Sequence, residues 1–246
     1  MKPLIETLSD PGQLAAAAAR HFARAATRAL RNWGEFTVAL SGGSTPRAAF
    51  ERIAGLTAAD GLEWEKVQFF WGDERCVPPE HAQSNFSLAR QSLLDRLDIP
   101  PQNIHRIPGE LEPHTAAQAY ESDLRSALSA RVDQGIDLPR FDLILLGLGL
   151  DGHTASLFPG SAALTEYLRW VLAQQAPDKS WRLTLTLPVI NAAAEVLFLV
   201  SGREKAQILR RVLRGAEDLR ALPAQAVRPA GGDVIWLVDA PAASLI

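Results

Sequence analysis

Short apolar segments alternate with longer amphipathic segments along the whole chain. Five short, mainly apolar segments predict buried strands: Thr37 to Leu40, Val67 to Trp71, Phe141 to Leu146, Val196 to Val200 and Val234 to Val238. Five other segments carry apolar residues at spacings of three and four, which predicts helices over about Gly12 to Asn32, Pro46 to Ala54, Ser84 to Leu97, Ala116 to Val132 and Arg203 to Leu213. This alternation predicts an α/β fold with a mostly parallel, Rossmann-like sheet that is flanked by helices on both faces.

The segment from Arg182 to Leu187 has a different pattern, because polar and apolar residues alternate along it. Successive side chains of a strand point to opposite faces, so Arg182, Thr184 and Thr186 would share one face. We expect that face to border solvent or a cleft.

Size and composition are compatible with one large core. The chain has 246 residues, of which 47% are hydrophobic. No linker rich in glycine, serine or proline divides the sequence. We therefore expect a single domain over residues 1–246, present as a monomer or a small homo-oligomer.

Four features argue against membrane, secreted and nucleic-acid-binding proteins. No apolar segment approaches the length of a membrane span, and the first residues lack the basic and then apolar run of a signal peptide. Cys76 is the only cysteine, which excludes internal disulfides and agrees with a reducing compartment. The net charge of −3 argues against a nucleic-acid partner. We expect a cytoplasmic protein with no membrane and no nucleic acid among its partners.

The strand predicted from Phe141 to Leu146 leads into a glycine-rich segment that carries Asp151 and His153. Ligands of open α/β sheets bind beyond the carboxyl ends of the strands. This titratable pair is therefore the first candidate for catalysis.

The same segment matches the dinucleotide motif G-x-G-x-x-G through Gly147, Gly149 and Gly152. That motif requires a long helix from its third glycine, whereas Pro159 and Gly160 follow within two helical turns and would break it. The acidic residue that would bind the ribose is also missing after the next apolar segment. We reject nucleotide binding on these grounds.

A second glycine-rich loop follows the first predicted strand. Thr45 could cap the next helix, and Pro46 at the first helical position has no amide to leave unpaired. The free amides of such a helix start form an anion site. An ordinary strand-to-helix turn is the alternative interpretation. The candidate ligand-binding residues here are Gly42, Gly43, Ser44, Thr45 and Arg47.

Charged residues follow two further predicted strands. Asp73 and Glu74 could accept hydrogen bonds from sugar hydroxyls, and Arg75 could bind a carboxylate or developing negative charge. Lys205 would lie in the first turn of a helix, where a cation is unfavourable unless an anionic ligand is bound. Solvated turns and surface ion pairs are the alternatives for these residues and for Arg182.

The sequence indicates neither a metal site nor a serine nucleophile. No second ligand at metal spacing accompanies the other histidines, His21, His81, His105 and His114. No G-x-S-x-G motif is present. We expect no metal and no cofactor.

Several of these motifs occur together in a fixed order. They are Ser41-Gly42-Gly43-Ser44-Thr45-Pro46, Trp71-Gly72-Asp73-Glu74-Arg75, Ser84-Asn85, the segment from Gly147 to Pro159, and the Arg182 strand with Lys205 behind it. In this order the chain resembles, over nearly its whole length, the glucosamine-6-phosphate isomerase/6-phosphogluconolactonase family, and within it the lactonases. The resemblance implies hydrolysis of a sugar-phosphate lactone, 6-phosphoglucono-δ-lactone, in the oxidative pentose phosphate pathway.

The resemblance also implies roles for individual residues. His153 would be the general base for attack of water on the lactone carbonyl, and Asp151 would orient it. Arg75, with Arg182 as a further candidate, would bind the developing charge. The 6-phosphate would be held by the loop from Gly42 to Thr45 together with Arg47 and Lys205.

Two other functions are kept as alternatives. Glucosamine-6-phosphate deaminases have a similar glycine-rich loop and Asp-Gly-His turn, but they carry a glutamate five residues after the histidine, where this chain has Phe158. A non-catalytic module that senses sugar phosphates is the second alternative. Such a module would usually accompany a DNA-binding helix-turn-helix, for which this sequence offers neither room nor a basic segment.

Overall fold

A parallel six-stranded sheet forms the centre of the fold. The computed structural model describes residues 3–131 and 137–246. The strands are β1 Leu4–Leu8, β2 Phe36–Leu40, β3 Val67–Trp71, β4 Asp73–Arg75, β5 Leu143–Leu146, β6 Val171–Gln175, β7 Trp181–Leu185, β8 Glu195–Val200 and β9 Asp233–Asp239. The α-helices are α1 Pro11–Trp33, α2 Ser44–Ile53, α3 Asn85–Ser92, α4 Pro113–Ala127, α5 Leu187–Asn191, α6 Ala206–Arg214 and α7 Ala240–Ala243. The order of strands in the central sheet is β1-β9-β8-β5-β2-β3.

The predicted fold class is confirmed. All five predicted buried strands lie in the central sheet, and every residue of β2, β5 and β8 is buried. The connections from β2 to β3 and from β8 to β9 run in opposite directions across the sheet. Because crossovers between parallel strands are right-handed, α2 and α6 lie on opposite faces.

The limits of several helices differ from the prediction, most clearly those of α3 and α4. The helix predicted from Ser84 to Leu97 is shorter, because α3 ends at Ser92 and a separate 3₁₀ turn follows it. The helix predicted from Ala116 starts earlier, because Glu112 caps α4 by accepting a hydrogen bond from the Thr115 amide. Its predicted end, Val132, lies outside the described residues.

Within residues 3–131 and 137–246, no helix combines the length and apolar character needed to cross a membrane.

A second sheet, with strand order β4-β7-β6, is antiparallel and was not predicted as a separate unit. It contains the strand predicted to have one open face. That prediction is wrong for Thr184 and Thr186, which are both fully buried. Their hydroxyls find acceptors inside the protein, since Thr184 Oγ1 donates to the carbonyl of Leu185 and Thr186 Oγ1 to that of Arg169. A hydroxyl with such a partner can be buried at little cost.

Tyr120 on α4 fixes the end of β3. Its hydroxyl accepts a hydrogen bond from the Trp71 amide at 2.9 Å and donates one to the Trp71 carbonyl at 3.0 Å. Both groups are buried and would otherwise be unpaired at the outer edge of the sheet. Tyr120 thus fixes the point at which the chain leaves the central sheet for β4.

Candidate active site

The carboxyl ends of β8, β5, β2 and β3 lie side by side along one edge of the central sheet. From β2 the chain passes to β3 on one side and later returns to β5 on the other. The crevice between β2 and β5 is therefore a topological switch point, where ligands of open α/β sheets bind. The glycine-rich loop after β2 and the His153 segment after β5 border this crevice.

His153 and Asp151 form a hydrogen-bonded pair. Asp151 Oδ1 lies 2.5 Å from His153 Nδ1 and 3.1 Å from the His153 amide nitrogen. A carboxylate at Nδ1 fixes the proton on that nitrogen, which leaves the lone pair of Nε2 free to accept a proton. The side chain of His153 is 32% exposed, and Nε2 has no hydrogen-bond partner among the described residues.

The electrostatic setting of Asp151 favours its ionised form. Burial alone raises the pKa of Asp151, but the amide, the charge and the ring of His153 together outweigh burial and lower the pKa. Phe158 packs against the imidazole, with ring centroids 4.9 Å apart. The imidazole therefore has a charged partner at one nitrogen and an apolar neighbour at its ring.

The turn that carries this pair is closed around Gly149. The Gly149 amide donates to the carbonyl of His153 at 2.9 Å, and the Gly152 amide donates to the carbonyl of Gly149 at 3.1 Å. A Cβ atom at position 149 would overlap His153 Nδ1 and Cε1 and would lie 2.7 Å from Asp151 Oδ1. The His153–Asp151 pair thus occupies the space that a side chain at position 149 would need.

Helix α2 begins at the glycine-rich loop without a side-chain cap. The prediction that Thr45 caps this helix is wrong: Gly43 is the N-cap, and the helix starts at Ser44. The φ angle of Gly43 is 111°, a left-handed conformation that favours glycine and turns the chain directly into the helix. Since no side chain accepts from the first amides, those of Ser44 and Thr45 are available to an anion. Arg47 is exposed on the first turn and adds positive charge.

Arg75 and Arg182 face each other across the β4–β7 pair. Residues directly opposite in antiparallel strands have their side chains on the same face, so both arginines project from one face of the small sheet. Arg75 Nη1 donates to the carbonyl of Gln83 at 2.6 Å, and Arg182 Nη1 donates to Ser180 Oγ at 2.6 Å. Arg182 Nη2 also lies 3.6 Å from Asp178 Oδ2, so this carboxylate partly balances the two positive charges. A bound anion would balance them further.

Lys205 lies beside the His153 turn. Its Nζ donates to the carbonyl of Leu148 at 2.7 Å. Burial lowers the pKa of Lys205, and the charges of Glu204 and Asp151 oppose this effect. The residue ends a 3₁₀ turn that precedes α6, so it is not inside the first turn of an α-helix as predicted.

Glu74 is buried and bound to the protein. It is 2% exposed, and its oxygens accept hydrogen bonds from the amides of Arg75, Asn85 and Phe86 and from Ser84 Oγ. Burial raises the pKa of Glu74, while these donors oppose the rise. Glu74 therefore anchors the start of α3 and has no open face toward a ligand.

Asp73 is also largely buried. Its Oδ2 accepts a hydrogen bond from Ser156 Oγ at 2.7 Å, and its Oδ1 accepts one from Asn85 Nδ2 at 3.2 Å. The sequence analysis gave no role to Ser84, Asn85 or Ser156. A serine directly before a helical pattern is an N-cap signal, and Ser84 does cap α3 by accepting from the Ser87 amide. No local signal links Ser156 to Asp73.

Metal ligation has no support in residues 3–131 and 137–246, where no group of three or more histidine, cysteine, aspartate or glutamate side chains is placed to hold an ion. The absence of a metal and of a cofactor stays a prediction.

Comparisons with known proteins identify the family of the chain. The family model for glucosamine-6-phosphate isomerases/6-phosphogluconolactonase matches residues 9–236. The chain is 40% identical over 243 residues to a 6-phosphogluconolactonase of Nostoc sp., covering 98% of both chains. It is 39% identical over 247 residues to one of Rattus norvegicus, covering 99% of this chain and 93% of the relative. The solved 6-phosphogluconolactonase from Trypanosoma cruzi has a TM-score of 0.86 and 32% identity, covering 99% of this chain and 96% of that one. The chain therefore belongs to the glucosamine-6-phosphate isomerase/6-phosphogluconolactonase family.

Proposed function

We propose that this protein hydrolyses 6-phosphoglucono-δ-lactone to 6-phosphogluconate, a step of the oxidative pentose phosphate pathway. The observation that carries the proposal is the His153–Asp151 pair, whose free Nε2 borders the crevice between β2 and β5. The uncapped start of α2 at the same crevice supports a phosphorylated substrate. Family membership supports the lactone.

His153 is the general base in this proposal. Its Nε2 takes a proton from a water molecule while Nδ1 donates to Asp151, and the water oxygen bonds to the lactone carbonyl carbon. The carbonyl oxygen becomes the oxyanion of a tetrahedral intermediate. When the intermediate collapses, the bond from the carbonyl carbon to the ring oxygen breaks, and the imidazolium returns its proton to that oxygen. The product is an open-chain acid.

We assign the positively charged side chains of the site to the two negatively charged groups of the reaction, the oxyanion and the 6-phosphate. Arg75 stabilises the oxyanion, and Arg182 lies beside it on the neighbouring strand. The 6-phosphate binds at the start of α2, at Gly42, Gly43, Ser44, Thr45 and Arg47. Lys205, beside the His153 turn, adds positive charge from the other side of the crevice. We assign Glu74 no contact with the sugar, because its oxygens already hold α3.

The first test is the reaction itself. We expect purified protein to accelerate the loss of freshly prepared 6-phosphoglucono-δ-lactone above the spontaneous rate, which is measured in parallel and subtracted. Glucosamine 6-phosphate is assayed for release of ammonia, and none is expected. Ammonia release without acceleration of lactone loss would support the deaminase alternative. Binding of the lactone without turnover would support the sensing module.

The phosphate site is tested with Arg47→Ala. We expect the variant to raise KM for the phosphorylated lactone about tenfold, as for loss of one charge-assisted hydrogen bond of about 1.5 kcal/mol, with little change in kcat. KM for unphosphorylated glucono-δ-lactone should not change. Arg52→Ala, an exposed arginine at the other end of α2, is the matched control. Equal losses with both lactones would contradict the phosphate role.

Domain organisation, assembly and location belong to the same proposal. We infer that residues 1–246 act as one domain, in a monomer or a small homo-oligomer. A single cysteine that forms no internal disulfide agrees with the reducing conditions of the cytoplasm.

A further inference from the structure

The chain directly after His153 has an unfavourable backbone conformation. Ala155 has a φ angle of 47°, in the left-handed region that residues with a Cβ atom rarely adopt. Such a conformation persists only where the surrounding contacts enforce it. Thr154 supplies one such contact, since its Oγ1 donates to the carbonyl of Gly147 at 2.9 Å.

Ser156 supplies the others and binds all three strands of the small antiparallel sheet. Its amide donates to Thr184 Oγ1 on β7 at 3.3 Å, its carbonyl accepts from Gln174 Nε2 on β6, and its Oγ donates to Asp73 Oδ2 on β4 at 2.7 Å. Ser156 is 2% exposed, so water does not compete for these bonds. The small sheet is therefore the support on which the His153 turn rests.

Asp73 extends this contact to the other half of the site. Asn85 Nδ2 donates to the Asp73 carbonyl at 2.8 Å and to Asp73 Oδ1 at 3.2 Å. Asn85 is 1% exposed, and its Oδ1 occupies the space that a side chain at Gly42 would need. A continuous chain of buried contacts thus runs from Ser156 through Asp73 and Asn85 to the glycine-rich loop.

We propose that Ser156 is a positioning residue, which sets the place of His153 relative to the glycine-rich loop through Asp73 and Asn85. The inference rests on the proposed roles of His153 as base and of the α2 start as phosphate site. His153 follows β5 and the glycine-rich loop follows β2, on the two sides of the crevice. The distance from the base to a lactone whose phosphate is held at the start of α2 therefore depends on this link. Small errors in such a separation lower the rate of the chemical step more than they lower affinity.

The test is Ser156→Ala, compared with Ser92→Ala. Ser92 is equally buried, and its Oγ donates only to a backbone carbonyl of its own helix, that of Leu88. We expect Ser156→Ala to lower kcat about 10- to 100-fold with a smaller change in KM, as for loss of a group that orients a catalytic residue. Ser92→Ala removes an equally buried hydroxyl far from the His153 turn in the hydrogen-bond network and should leave kcat unchanged. Ser156→Thr keeps the hydroxyl and should restore kcat toward the wild-type value.

The two hypotheses fail separately. If Ser156→Ala keeps its kcat, or if it loses no more than Ser92→Ala does, the positioning role is wrong even when His153→Ala is inactive. If His153→Ala stays fully active, the proposed mechanism itself is wrong. Should Ser156→Ala not fold, Asn85→Ala breaks the same chain at its other end, and an unchanged kcat in that variant overturns the inference.

Discussion

The kcat for lactone hydrolysis is expected to fall about 10²- to 10⁴-fold when His153 is replaced by alanine, which is the usual contribution of a general base. The pair with Asp151 fixes the proton on Nδ1 and leaves Nε2 to accept the proton of water. Alanine offers no group that could accept this proton. KM should change little, because the base contacts the attacking water and not the phosphate.

The fold is expected to survive this substitution. The His153 side chain is 32% exposed, so its removal creates little buried cavity. Thermal unfolding and circular dichroism check this point. His114→Ala, at an exposed histidine on α4, is the matched control and should keep full activity. Lactone hydrolysis by His153→Ala at the wild-type rate, after subtraction of the spontaneous reaction, would refute the general-base assignment.

Gly149→Ala is expected to lower kcat by about 10²-fold or more, although it leaves every candidate catalytic side chain in place. The new Cβ would overlap the imidazole of His153 at Nδ1 and Cε1, and would press on Asp151 Oδ1 at 2.7 Å. The imidazole must therefore leave its position beside Asp151. A displacement of about 1 Å is sufficient for a loss of this size.

Gly147→Ala is the matched control for Gly149→Ala. It makes the same substitution two residues earlier in the same segment, where an added Cβ would meet no atom within 4 Å. We expect its kcat to stay close to that of the wild type. A crystal structure of Gly149→Ala should show the His153 Nδ1 to Asp151 Oδ1 bond broken. Full activity of Gly149→Ala would mean that catalysis does not need the pair in its present geometry.

Local patterns in the sequence were sufficient for most of the central sheet. The strands around Val38, Phe69, Ile144 and Leu197 were predicted because a buried parallel strand needs a short, continuous apolar segment. The edge strand β1 and the existence of the small antiparallel sheet were not predicted. Their strands are shorter or only half-buried, and their apolar pattern is correspondingly weak.

Local patterns also predicted which residues come together at the candidate site. Parallel strands end at one edge, so residues that directly follow apolar segments come together whatever the details of packing. Asp151 and His153 are two residues apart, and their pairing is a local property of the turn. Thr45 was predicted as the N-cap of α2, whereas the N-cap is Gly43, two positions earlier. The backbone geometry of Gly43 decides where that helix begins, and the sequence pattern does not show it.

The sequence by itself determined the α/β class and the position of Asp151 and His153 directly after a buried strand, since both depend on spacing within short segments. Only the tertiary structure decided the roles of Glu74, Thr184 and Ser156. Each of them has at least one partner on another element, up to 83 residues away in the case of Ser156 and Asp73. Burial of a polar group depends on whether such a distant partner is present, and no local pattern carries that information.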